Sequence, residues 1–202
     1  MVIAGVVWVD KKFKLTRFIY LGEASLGSWC VLGSEKRELD REQLEELSKT
    51  YREMLDRIRV AGFTYDEDPG IAPAQKLFHS VKPLGFAHQE VGFLIEETKG
   101  FPGGPRFVYL LSDILVGVGK ALDLLDPGWR ERGIKKVVLD KKVLNNARLY
   151  LANVMLLLES RFVEIGVWLE GVGVRDPKLP VVYRLIRDAT YGIEKYLFES
   201  ET

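Results

Sequence analysis

The chain has 202 residues, of which 47% are hydrophobic and 29% are charged, a composition that excludes a disordered protein. Its 29 basic and 29 acidic side chains give a formal net charge of +0. A dedicated nucleic-acid binder carries a positive excess that neutralises phosphates, so this balance argues against that class. The same balance leaves little electrostatic repulsion between copies of the chain and therefore favours self-association.

Three further properties of the sequence narrow the class of protein. Cys30 is the only cysteine, so an intramolecular disulfide is impossible and a structural zinc site lacks ligands. The N-terminus has no basic leader, and the longest apolar stretch, 107–125, is interrupted by Asp113 and Lys120. Gln and Asn are scarce beside Lys, Arg and Glu, as in proteins from hot environments. We therefore expect a soluble, cytoplasmic protein with a thermophile-like composition and no membrane contact.

The first segment of the chain predicts β-strands. Residues 2–9 are almost wholly apolar and rich in valine, and residues 13–21 alternate between apolar and polar side chains. Residues 28–32 are a third candidate. Because polar or glycine-containing turns separate these runs, the natural arrangement is an antiparallel meander.

The next segment predicts an amphipathic helix over residues 41–61. Asp40 is placed as the N-cap, with Gln43 completing a capping box and Leu39 and Leu44 forming a hydrophobic staple around it. Gly62 ends the helix. The apolar positions recur at spacings of three and four and form one stripe: Leu44, Leu47, Tyr51, Met54 and Ile58.

Residues 63–105 predict short elements. A strand at 63–65, a helix at 73–81 that begins at a proline, and a strand at 91–96 precede a segment rich in glycine and proline at 99–105. This last segment is the best candidate for a boundary. We thus expect an N-terminal half at residues 1–100 and a C-terminal half at residues 105–202, packed as one compact unit.

The C-terminal half predicts about three helices. One covers roughly 105–125, one begins at the N-cap Asp140, and one covers roughly 180–198. The second has apolar residues on faces other than its main stripe, including Leu149 and Tyr150, which predicts a central helix contacted from several sides. The predicted fold class is therefore α+β, with a strand-rich N-terminal half containing one amphipathic helix, packed on a helical C-terminal half.

Two features of the predicted helix 105–125 suggest chemistry. Gly117, Gly119 and Lys120 resemble part of a phosphate loop, but the further glycine and the hydroxyl residue of that motif are missing, so close helix packing is the better interpretation. Asp113 interrupts an apolar helix. It lies near the surface on the outer face, is paired with a cation such as Arg148 or Arg184, or is a functional acid.

Two basic clusters, 11–17 and 130–142, could form an anion-binding face with Trp129 available for stacking, although a solvated surface is the simpler interpretation. His79 and His88 lack the additional ligands of a transition-metal site.

Three carboxylates could hold a hard cation such as Mg²⁺ or Mn²⁺. Asp66 and Asp68 follow a predicted strand two positions apart, and Asp10 ends the first strand. Over residues 2–81 the order of three strands, a helix and a strand loosely resembles the ribonuclease H-like fold. That resemblance implies that these acids hold two metal ions for phosphodiester hydrolysis. Ordinary turn chemistry also accounts for all three acids.

The sequence leaves two functional hypotheses. The first is a non-catalytic assembly, adaptor or regulatory protein that acts through protein–protein contacts or self-association and needs no cofactor. It depends on the missing catalytic constellation, the balanced charge and the apolar residues on several helix faces; the four tryptophans, Trp8, Trp29, Trp129 and Trp168, are candidate contact residues. The alternative is a metal-dependent phosphodiesterase or nuclease that uses Asp10, Asp66 and Asp68 with Mg²⁺ or Mn²⁺.

Overall fold

The computed structural model describes residues 5–9, 16–20, 39–66, 70–101, 104–174 and 178–200. The chain divides into two compact units, residues 1–35 and 36–202. In the first unit the described backbone forms an antiparallel hairpin of β1 (Gly5–Val9) and β2 (Thr16–Tyr20). The candidate strand at 28–32 lies outside the described residues. The predicted division at 99–105 into two halves stays a prediction.

The regular elements described in the second unit are all helical. They are α1 (Arg41–Val60), a 3-10 turn (Thr64–Asp66), α2 (Pro73–Val81), α3 (Leu84–Thr98), α4 (Gly104–Leu125), α5 (Trp129–Arg132), α6 (Lys141–Gly171) and α7 (Lys178–Glu199). The fold of this unit is therefore all-helical, and the prediction of a strand-rich α+β class is wrong. The element order on which the ribonuclease H-like resemblance depends is wrong for the same reason.

The error arose from two short apolar runs. Of residues 63–65, predicted as a strand, Thr64 and Tyr65 belong to the 3-10 turn, and residues 91–96 belong to α3. Within α3 the buried apolar residues are Leu84, Ala87, Val91 and Leu94, at helical spacings of three and four. A run of five or six apolar residues cannot by itself be distinguished as strand or helix, and the spacing over the whole segment decides.

The start of α1 is confirmed in detail. The Gln43 backbone N–H donates to Asp40 Oδ1 at 2.8 Å, and the Asp40 N–H donates to Gln43 Oε1 at 3.1 Å, which completes the predicted capping box. The N-cap Asp140 of α6 is confirmed as well, because its Oδ1 accepts from the Val143 N–H at 2.9 Å. Each cap satisfies backbone donors that the first helical turn leaves without partners.

The core lies among α3, α4, α6 and α7, and two glycines of α4 let its neighbours approach. A Cβ on Gly117 would lie 2.3 Å from Val154 Cγ2 of α6, and one on Gly119 would lie 3.3 Å from His88 Nε2 of α3. The packing interpretation of these glycines is confirmed.

Helix α1 is held on this core by contacts along its length, among them a tyrosine ring and an arginine of α7. The ring of Tyr51 lies against Gly166 of α6, where a Cβ would approach Tyr51 Cε1 to 2.3 Å. At the other end, the Arg187 guanidinium of α7 donates to the carbonyls of Ile58 and, at 2.9 Å, Gly62. Arg187 also pairs with its buried neighbour Asp188 at 2.8 Å. Arg187 is therefore a side-chain donor to the carbonyls at the end of α1, where the Ile58 carbonyl also accepts from the Ala61 N–H at 3.2 Å.

Candidate interaction surface

Helices α4 and α6 run antiparallel and share an outer surface. Arg106 of α4 pairs with Glu164 at 2.6 Å, and Gly117 lies beside Val154. Farther along, Lys120 Nζ lies 5.6 Å from the centroid of the Tyr150 ring. Residue numbers rise along α4 as they fall along α6, so the two helices are antiparallel. Because the contacts extend from Arg106 to Lys120, the solvent-facing sides of the two helices lie side by side over several turns.

This surface exposes large apolar side chains. Tyr109 and Val116 of α4 are 74% and 53% exposed. On α6, Leu149 and Leu156 are 48% and 60% exposed, and Tyr150 is 38% exposed. Each pair at a separation of seven residues, 109/116 and 149/156, shares one helix face. We call this surface the α4–α6 face, defined by Tyr109, Asp113, Val116, Lys120, Leu149, Tyr150, Asn153 and Leu156.

Few charges lie on the α4–α6 face. Residues 149–158 of α6 form an uncharged run of ten, although part of that run faces solvent. Asp113 and Lys120 are the two charged members of the face, and both are exposed. A surface with so few charges loses little hydration free energy when a partner covers it, because desolvating charges is the main cost of burial.

Asp113 is therefore a surface carboxylate on the outer side of α4. The cations proposed as its partners have other partners: Arg148 pairs with Glu194 at 2.8 Å, and Arg184 lies 3.7 Å from Asp188. Asp113 thus remains available at the surface.

A polar cluster borders the α4–α6 face at the end of α4. Asp123 accepts from Trp129 Nε1 at 2.8 Å and pairs with Arg130 at 3.1 Å, while Arg130 stacks on the Trp129 ring at 4.7 Å. The hydrogen bond from Arg130 lowers the pKa of Asp123. Burial, assisted by the Arg130 charge, lowers the pKa of His88, so this imidazole is neutral at pH 7. The border of the α4–α6 face therefore carries the Asp123–Arg130 ion pair and the neutral imidazole of His88.

The connection between α4 and α6 is organised by a buried carboxylate. Asp126 is fully buried and accepts from Arg132 at 2.5 Å and 3.0 Å and from the Lys135 and Lys136 N–H groups. Burial alone would raise the pKa of Asp126, but these donors outweigh it and lower the pKa to about 2. The carboxylate is consequently ionised throughout the physiological pH range. Its hydrogen bonds hold the first part of the segment that connects α4 to α6.

The same contacts bear on the anion-binding hypothesis. Arg130 and Arg132 are each paired with an aspartate, and Trp129 is only 8% exposed, so its ring belongs to the core and is not open for stacking. Trp168 is half-buried and stacks on Phe107 at 4.4 Å. Trp8 and Trp29 have no described side chains.

Of the three predicted metal ligands, Asp66 alone lies within the residues that the structure describes. Asp66 ends the 3-10 turn, is exposed, and accepts from the Tyr191 hydroxyl at 2.9 Å. Asp10 and Asp68 lie outside the described residues. Among the described side chains, no group of three or more His, Cys, Asp or Glu residues could hold a metal ion. The metal site, with Mg²⁺ or Mn²⁺, stays a prediction.

Sequence reasoning missed the α4–α6 face because it interpreted the apolar residues outside the main stripe of α6, including Leu149 and Tyr150, as contacts with neighbouring elements. The prediction of a central helix is confirmed, since α6 packs against α1, α4 and α7. Leu149 and Leu156 nevertheless face solvent. The uncharged run 149–158 signals an excess of apolar residues on α6, but only the packing of its neighbours decides which of these residues face solvent.

No described helix is both long enough and apolar enough to cross a bilayer. Comparison of the chain with protein-family models, with curated proteins and with solved structures gave no match.

Proposed function

We propose that this protein is a non-catalytic assembly, adaptor or regulatory protein that acts through protein–protein contacts made by its α4–α6 face. The observation that carries this proposal is the uncharged run 149–158, which presents Leu149, Tyr150 and Leu156 to solvent. Interface centres are depleted of charged residues and enriched in aromatic and large apolar ones, and this face has the same composition.

The concentration of apolar residues supports the proposal further. Twelve large apolar side chains are exposed in the part of the chain that the structure describes, and five of them lie on this one face. Scattered apolar residues on a surface need no explanation, whereas adjacent ones rimmed by polar groups mark a contact site. Here the rim is polar, with Arg106–Glu164 at one end and Asp123–Arg130 at the other.

The test is photo-crosslinking from two positions in the cell that makes the protein. A photoreactive phenylalanine analogue replaces Leu156 in one variant and Arg52, an exposed residue on α1, in the other. We expect a defined protein adduct from position 156, identified by mass spectrometry, and none from position 52.

A competition step makes the result specific. Excess unlabelled wild-type protein should abolish the adduct at position 156, whereas excess Leu149→Glu protein should not. Equal adducts at both positions, or none at position 156, would contradict the proposal. Circular dichroism of each variant establishes that the helical fold is intact.

A further inference from the structure

We propose that the α4–α6 face binds a second copy of this chain, related to the first by a two-fold axis perpendicular to α4 and α6. This inference rests on the proposed function and names the partner of the same surface. In a two-fold interface, residue i of one copy meets residue j of the other and j meets i, so the surface must be complementary to itself.

The charges on α4 satisfy that requirement. Asp113 and Lys120 are seven residues apart on one side of the helix and flank Val116. Rotation about an axis between Val116 and Gly117 brings Lys120 of the second copy to the height of Asp113 of the first. Two opposite-charge pairs then form, one on each side of the axis.

The apolar residues on α6 are arranged about a matching centre. Leu149 and Leu156 are also seven residues apart, and their midpoint lies between Ala152 and Asn153. The same rotation places Leu149 of one copy at the height of Leu156 of the other. Asn153, exposed and uncharged, then lies beside the axis, where its amide can donate to and accept from its own counterpart.

The two centres coincide in height. Gly117 lies beside Val154, and the helices are antiparallel, so the α4 centre lies near Val154 on α6. The α6 centre is about two residues away, or roughly 3 Å at 1.5 Å per residue. One axis therefore serves both helices. The formal net charge of +0 adds no overall repulsion between copies.

The first arm of the test is sedimentation velocity of the full chain over a roughly hundredfold concentration range. We expect a concentration-dependent dimer for the wild type and a monomer for Leu156→Glu. Phe198→Glu, which replaces a comparably exposed residue on α7, is the matched control and should remain a dimer. A monomeric wild type, or a dimer that withstands Leu156→Glu, would overturn the self-pairing.

The second arm uses charge reversal, and its expected result is specific to a dimer whose copies are related by a two-fold axis. Asp113→Lys and Lys120→Glu each place two like-charge contacts in the dimer and should each weaken it about tenfold or more. A mixture of the two variants should dimerise as the wild type does, because every contact in the mixed pair then joins opposite charges. If the single variants weaken the dimer and the mixture does not recover, the proposed register is wrong.

The two proposals fail differently. A wild type that is monomeric in the centrifuge but still crosslinks to a different protein from position 156 retains the proposed function and rejects the second copy. A protein that does neither rejects both.

Discussion

Helices α1 and α6 have similar N-termini but differ in how many charged residues they carry. Each starts at an aspartate N-cap, and each has an apolar stripe. Ten of the 20 residues of α1 are charged, whereas seven of the 31 residues of α6 are. The outer face of α1 is therefore well hydrated. The outer face of α6 includes an uncharged stretch whose hydration contributes little favourable free energy. We interpret the apolar residues of α6 that the fold does not bury as the contact surface proposed above.

The two helices also differ in how they are held. Only Tyr51 and Leu55 of α1 are buried, so α1 depends on a few specific contacts. Helix α6 buries nine residues along its length: Leu144, Ala147, Leu151, Val154, Leu158, Phe162, Ile165, Gly166 and Leu169. We therefore expect α1 to open locally at a lower free energy than α6.

Replacing Arg187 with Met should lower the free energy of unfolding by about 3–5 kcal/mol. It removes the donor to the carbonyls of Ile58 and Gly62 and leaves Asp188 buried without its closest cation. Denaturant unfolding measures the loss, and amide exchange should show the end of α1 opening first. Arg184→Met, at a half-exposed position, is the control and should change stability by about 0.5 kcal/mol or less. Equal losses in both variants would contradict this account.

Replacing Gly166 with Ala should cost about 1–3 kcal/mol, because the new methyl group would overlap the Tyr51 ring. The overlap should separate α1 from α6 without disturbing α4 or α7, so amide exchange should accelerate in α1 alone. Gly62→Ala meets no atom within 4 Å and provides the matched control. Recovery of stability in a Gly166→Ala/Tyr51→Leu double variant would identify the ring as the cause.

Replacing Asp126 with Asn should cost about 2 kcal/mol at pH 7 and less than about 0.5 kcal/mol at pH 2. The pKa of Asp126 is about 2 in the folded protein against an ordinary value of 3.8. A lowered folded-state pKa stabilises the protein above the ordinary value, and that contribution is lost as pH falls from about 4 to below about 2. Thermal unfolding of both proteins across that range measures the convergence. A constant difference at every pH would show that the carboxylate charge is not responsible.

Replacing Arg41 with Ala should change stability by less than about 0.5 kcal/mol. Its pair with Glu45 lies at 3.0 Å, but the two side chains are 93% and 70% exposed, so water and salt screen the interaction. Denaturant unfolding at low and high salt measures the effect. A larger loss would mean that ion pairs on the charged face of α1, and not only its hydration, contribute to the free energy of unfolding.

The resemblance between the two N-caps explains why some elements were predictable. Asp40 with Gln43, and Asp140 alone, act on the next three residues, so their effect is present in the local sequence. The prediction of a strand at 91–96 was wrong because a short apolar run has no local feature that selects helix over strand. The helix there follows from the burial of Leu84, Ala87, Val91 and Leu94, which are spread over the whole of α3.

The sequence by itself determined the capped starts of α1 and α6, the core stripe of α6 and the packing role of Gly117, because each depends on spacing along one segment. Tertiary structure alone decided three other features. It brought Arg187 to the end of α1, it surrounded Asp126 with donors, and it left Leu149 and Leu156 uncovered. Each of these is a relation between residues in different elements or connections, or a matter of which neighbour covers which face. Spacing within one helix carries no information about either.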